Sequence, residues 1–189
     1  GGSVRCIQMS MGCTDELADN YNEEANNDNG SCEYYPVGDY SLSFDGVDDY
    51  VELGNNDLFD FGVGDFSIGA WINPTSANQN ARIVARGSTN TPGCYQLNIN
   101  TNGELRLSFY EGAVYESNGD YDSNNNAIQT GVWQYLVLTR SGTSLKGYVN
   151  GVEVVDGTNS SDLTSDQPIA IGYQPGYDTH FDGLIDDVS

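Results

Sequence analysis

The residues of this chain best suited to chemistry are carboxylates, and they come in clusters. FDGVDD (44–49) and FDGLIDD (181–187) hold Asp45, Asp48, Asp49, Asp182, Asp186 and Asp187. Oxygen-only donor sets of this kind suit calcium, which takes roughly six to eight oxygen ligands. Strand alternation sets Asp186 on the face of Leu184 and Val188, pointing inward, and an inward carboxylate needs a metal or hydrogen-bond partners such as backbone amides at a strand turn. A second cluster fills GCTDELADNYNEEANNDNGSC (12–32), where six carboxylates and five asparagines stand between two cysteines with no Lys or Arg. Were Cys13 and Cys32 joined, Asp15, Asn20, Asn22 and Asp28 would converge as calcium ligands, and the bridge would contribute about 3 kcal/mol through the unfolded state. The EF-hand spacing fails, because Ala25 stands at its first position. The segment is therefore either a calcium-stapled mini-module or an acidic spacer that holds no specific ion.

A different chemistry is offered by thirteen tyrosines and two tryptophans. Aromatic faces give large contact area to the C–H faces of sugars. Trp71 and Trp133 fall inside strand patterns and are expected in the core. The candidates for a ligand are the loop and strand-end residues Tyr110, Tyr115, Tyr173, Tyr177 and His180, with Arg86 as a guanidinium fork for a hydroxyl or carboxylate. Tyr121 is a further candidate ring, and Asn90, Asn118, Asn124 and Gln174 lie beside these residues. His180, the single histidine, reads as a loop residue rather than a base. No histidine-centred triad is legible. Adjacent carboxylates such as Asp48/Asp49 and Asp186/Asp187 point to opposite faces of a strand and cannot serve one bond as acid and base. No phosphate-cradling glycine loop occurs.

Composition narrows the partners. With 6 basic against 28 acidic residues the net charge is −22. Such a surface lacks the cations that replace phosphate counterions, which argues against nucleic acid and anionic membranes. A directly bound glycan is expected to be neutral rather than sulfated, unless calcium reverses the local field. No apolar run is long enough to span a bilayer. Four cysteines, an even number, favour an oxidising extracellular setting and allow three pairings among which spacing does not choose. Gly1-Gly2-Ser3 reads as a cloning remnant.

The elements that must position these groups are strands. DYSLSFDG (39–46) alternates Leu42 and Phe44 with Ser41, Ser43 and Asp45, a half-buried pattern. Similar runs follow at 50–53, 66–73, 81–87, 95–100, 104–110, 132–140, 144–149, 152–156, 169–173 and 181–188. Asn150-Gly151 between two such runs predicts a type I′ hairpin turn. No helical period is sustained, so the expectation is an all-β antiparallel sandwich. Loops 54–65, 74–80, 88–94, 117–131, 157–168 and 173–180 are free to carry function.

LSFDGVDDYVEL (42–53), FSIGAWINPT (66–75), GVWQYLVLTRSG (131–142), KGYVNG (146–151) and FDGLIDDV (181–188) resemble, in order, the landmarks of laminin-G-like domains. The resemblance covers residues 39–189 and implies a two-sheet concanavalin A-like jelly roll in which the first and last strands lie together, with a structural calcium on the sandwich. That site would draw on Asp45, Asp49, Asp182 and Asp186. The E-x-D-x-E signature of glycoside hydrolases that share this sandwich is absent. GCTDELADNYN…NNDNGSC is similar to a short cysteine repeat of secreted marine Bacteroidetes proteins; Asn29-Gly30 stands where that repeat has Asp-Gly. It implies a Cys13–Cys32 bridge; the remaining Cys94, alone in the loop TPGC, is expected to pair with Cys6 and pin the N-terminal module to the sandwich rim. The expected organisation is thus a cysteine-repeat module at 4–36 and a sandwich at 37–189. The family's last strand runs on past the point where Ser189 falls. The implied function is a non-catalytic, calcium-stabilised carbohydrate-binding module of a larger secreted or cell-surface protein, acting beside other domains of its parent chain. The alternative is an adhesive spacer that contacts cell-surface protein and holds no sugar.

Overall fold

The computed structural model describes residues 9–18, 20–33, 40–88, 91–110, 117–124 and 126–189. The chain divides into two compact units, Gly1–Tyr40 and Ser41–Ser189. In the first, β1 (Met11–Gly12) and β2 (Asn27–Asp28) form a short parallel ladder, and Cys13 is bonded to Cys32. So little of this acidic segment is apolar that burial is confined to Gly12, Cys13 and Ala18 among the described residues, and the disulfide supplies what a core cannot. Cys6, Tyr34 and Tyr35 lie outside the described residues.

The second unit is a sandwich of antiparallel strands. Its elements are β3 (Leu42–Asp45), β4 (Val51–Gly54), β5 (Phe66–Pro74), β6 (Ala81–Arg86), β7 (Cys94–Ile99), β8 (Leu105–Tyr110), β9 (Ser117–Asp122), β10 (Gln134–Ser141), β11 (Ser144–Val149), β12 (Val152–Thr158), β13 (Ile169–Ile171) and β14 (Asp182–Asp186). One sheet runs β12-β11-β10-β5-β14-β3 and the other β4-β13-β6-β7-β8-β9. Alternation feeds the core between them: Ile68, Ala70 and Ile72 from β5, Leu136 and Leu138 from β10, Leu97 and Ile99 from β7, Leu105, Leu107 and Phe109 from β8. Asn150 and Gly151 adopt φ of 52° and 78°, the two positive values a type I′ turn requires.

Two expectations are corrected. SNGDYD (117–122), within a stretch expected to be loop, forms β9, the edge strand beside β8. It shows no apolar alternation because an edge strand can be held by its ladder alone. Trp71 and Trp133 are not core. Ala70, Ile72 and Gln134 take the inward positions, so both indoles face outward at 38% and 39% exposure, and Trp71 packs on Tyr135.

The sandwich end formed by residues 54–65 and 157–168 is clamped by buried guanidinium groups. Arg140 donates to the carbonyls of Gly62, Gly64 and Ser161 at 2.7–3.0 Å, with its guanidinium 5.0 Å from the Phe66 ring centroid. Removing it leaves several carbonyls unpaired in the interior. Arg140→Ala is expected to cost at least about 3 kcal/mol in urea unfolding; a cost below about 1 kcal/mol would contradict this role.

Candidate functional site at the β3–β4 and β13–β14 loops

β3 and β14 pair with Asp45 opposite Asp182, which brings the two FDG segments together. Gly46 turns the chain at φ 75° and donates its N–H to the Phe181 carbonyl at 3.1 Å. A Cβ at Gly46 would fall 2.8 Å from Asp182 Cβ, so glycine is required twice over. Beyond it the chain folds on its own carboxylates. Asp45 Oδ1 accepts from the N–H groups of Val47 (2.8 Å) and Asp48 (3.3 Å), and Asp49 Oδ2 accepts from Asp45 N–H (3.2 Å). These amides, Val47 foremost, hold the Asp45 carboxyl below its ordinary value of 3.8.

The result is a trio of exposed carboxylates, Asp45, Asp48 and Asp49, each with a ligand atom within 4.8 Å of the others. Three hard oxygen donors from one turn suit a calcium-sized ion. Asp182 stands beside the trio without being part of it, its backbone N–H bonded to Gln79 Oε1 at 2.7 Å. Asp186 is elsewhere. Gly183 and Ile185 take the inward positions of β14, so Asp186 faces outward, opposite Trp71, and caps the Asp187 N–H at 2.8 Å. The inward orientation expected for it is therefore wrong.

Aromatic rings stand next to the trio. Tyr50 lies 5.0 Å from Tyr173, and Tyr173 stacks on His180 at 4.6 Å with an interplanar angle of 22°. His180 Nδ1 sits 3.4 Å from the Asp49 carbonyl, and Tyr173 Oη accepts from Gly176 N–H at 3.1 Å, so the stack is tied to both loops. Tyr50 and Tyr177 are 50% and 37% exposed. Gln174, in the same loop, is fully buried.

The other expected ligand residues are placed differently. Arg86 is interior: its guanidinium donates to the carbonyls of Phe59, Ser165 and Gln167 and contacts Asp60 and Asn55. It clamps the 54–65 and 157–168 segments as Arg140 does, and is not a surface fork. Tyr110 is buried at the end of β8, paired with Cys94 and Ser117. Tyr115 lies outside the described residues. Cys94 carries a free, buried thiol, which burial pushes up to about 11, and its expected partner Cys6 lies outside the described residues. In the first unit, Asp15, Asn22 and Asp28 accept from the N–H groups of Leu17, Glu24 and Gly30. Asn20 bridges the Ser31 carbonyl and the Glu33 N–H at 2.6 and 2.9 Å. Asp15, Asn22 and Asp28 thus cap local turns while Asn20 ties two distant stretches together, and among the described residues the acidic, His and Cys side chains of this unit form no three-ligand cluster. The residue that the sequence did not single out is Tyr50. Its signal is position, directly after the aspartates and in outward register with Glu52.

Residues 45–189 match the concanavalin A-like lectin/glucanases superfamily, specifically its laminin-G type, and the chain belongs to that family. Among solved structures it resembles domain 4 of AbnA, an extracellular arabinanase from Geobacillus stearothermophilus in complex with arabinotriose (22% identity, TM-score 0.59, covering 86% of this chain and 76% of that one). It also resembles the CBM40 of a Ruminococcus gnavus IT-sialidase bound to α2,3-sialyllactose (14%, 0.62, 77% and 84%). A third is the LG4-5 pair of mouse laminin α1 (19%, 0.61, 80% and 41%). No curated protein sequence matches the chain significantly. No helix among the described residues is long and apolar enough to cross a membrane.

The Asp45 geometry has a pH signature. A carboxyl whose folded pKa is depressed adds stability above its unfolded value, and that stability is lost as pH falls through the folded one. Asp45 is expected to titrate below 3.8 by carboxyl-detected NMR, and Asp45→Asn to flatten the acid limb of the melting curve. A midpoint at or above 3.8 would contradict the amide cradle.

Proposed function

We propose that this chain is a non-catalytic carbohydrate-binding module of a larger secreted or cell-surface protein. The observation that carries the reading is the Tyr50–Tyr173–His180 stack, held between two loops with Tyr177 exposed on the same segment. Ring faces near a rigid sandwich end are suited to the C–H faces of a sugar. The reading is supported by the relatives that share the fold, one bound to arabinotriose and another to sialyllactose. Calcium at Asp45, Asp48 and Asp49 would rigidify the turn that carries Tyr50 and leave the sugar to the rings. The rest of the surface is acidic, so a neutral polysaccharide is the expected partner.

Calorimetric titration of a panel of neutral and anionic polysaccharides tests this. Binding is expected for a neutral polymer, with Tyr173→Ala weakening it about tenfold at little cost in melting temperature. Silence across the panel would move the function to an adhesive spacer. In parallel, calcium is expected to raise the melting temperature of the wild type and not of a protein carrying Asp45→Ala and Asp48→Ala. An equal rise in both would remove the ion from this turn.

A further inference from the structure

The outer face of the first sheet carries an open cleft of about 270 Å³ where β3, β14 and the end of β5 meet. Cross-strand register sets Ser43, Leu184 and Asn73 in one row and Asp45 with Asp182 in the next. Along their strands these residues alternate with the core residues Phe44, Ile72 and Ile185, so they point outward. Ser43, Asn73, Asp182, Leu184 and Pro74 line the cleft. Ser43 is exposed, and Asn73, Asp182 and Leu184 are half-buried, so a molecule arriving from solvent can touch all four.

The backbone around the cleft is pinned. Gln79 holds Asp182 from both sides, its Oε1 accepting the Asp182 N–H at 2.7 Å and its Nε2 donating to the Asp182 carbonyl at 3.1 Å. Thr75 N–H donates to the same carbonyl at 3.0 Å, and Gly131 N–H donates to the Pro74 carbonyl at 2.8 Å. The side chains on this frame are not engaged in the same way. The Ser43 hydroxyl, the Asn73 amide and the Asp182 carboxylate make no hydrogen bond or ion pair among the described residues. Three free polar groups, held on a fixed frame beside the apolar surface of Leu184 and Pro74, are the composition of a small-ligand site. No Lys, Arg or His lines it.

The cleft adjoins the aromatic stack. Asp182 of the cleft and His180 of the stack are two residues apart, and two residues of extended chain span at most about 7 Å. Gly46, in contact with Asp182, belongs to the turn that leads to Tyr50. We infer that this cleft is a second sugar subsite, which takes the sugar unit adjoining the one stacked on Tyr50 and Tyr173. The inference rests on the carbohydrate-binding reading and deepens it: the ligand is a neutral chain of at least two sugar units. The Asn73 amide and the Ser43 hydroxyl donate and accept, as sugar hydroxyls do, and the Asp182 carboxylate accepts from them. An anionic unit would bring its charge to Asp182 with no cation in the cleft to meet it.

The double variant Ser43→Ala, Asn73→Ala removes two of the free groups while breaking no hydrogen bond of those side chains among the described residues. Its ligand-free melting temperature is therefore expected to hold. Its affinity for the neutral polysaccharide that the wild type binds best is expected to fall about tenfold or more. Leu184→Trp, which fills the cleft from its apolar wall, is expected to weaken the same binding. A fall of several degrees in the melting temperature of the double variant would show that these side chains serve the fold, and would overturn the inference without any ligand. Wild-type affinity retained in full by either variant overturns the subsite alone and leaves the aromatic stack as the whole site. A wild type that binds nothing in the panel overturns the carbohydrate reading and the subsite with it.

Discussion

The pairing of β3 with β14 is the constraint on which the sandwich's candidate chemistry depends. Asp45 faces Asp182 across that ladder, Gly46 bonds to Phe181, and Phe181 bonds in turn to Gly172. One rung therefore gathers the acidic turn, the Tyr173–His180 loop and the end of β13, although they are far apart in the chain. Close approach enforces it: Gly46 fits only because it lacks a Cβ, and Gly172 lies against the Phe44 ring. A shift of one residue in this register would turn Phe44 out of the core and separate the aspartates from the rings.

Electrostatics follow from where the few cations go. Arg86 and Arg140 are spent inside the molecule on backbone carbonyls, and Arg106 and Lys146 are met by acidic neighbours. The acidic excess thus remains on the outside. Acidic turns of this kind can accept a divalent cation, and a neutral ligand would meet aromatic faces rather than charge. The buried guanidiniums also fix the 54–65 and 157–168 segments at the opposite end of the strands, so the sandwich can hold the Tyr50–Tyr173 side rigid without spending charge there.

Most of the fold was legible because strand alternation and Asn-Gly turn chemistry act locally. The strand runs, the Asn150-Gly151 turn and the proximity of the two FDG segments all appear in the structure. What failed has a shared cause: a side chain's facing depends on which neighbours take the core. Asp186 shares its face with Leu184, yet that face is the outer one, because Ile185 is the inward residue. Trp71 looked like core by size and lost the position to Ala70 and Ile72. Arg86 looked like a ligand fork because cations are scarce, and the same scarcity makes it valuable inside. Of the expected ring residues, Tyr173, Tyr177 and His180 share one loop while Tyr110 does not.

We take the β3–β4 and β13–β14 loops to form one sugar site. Backbone amide NMR during titration with a neutral oligosaccharide tests it most directly. The largest shift changes are expected at Tyr50 and at residues 173–180, with the Cys13–Cys32 segment silent. Changes centred on that disulfide segment, or on the outward face of β5 and β10 around Trp71, would contradict it.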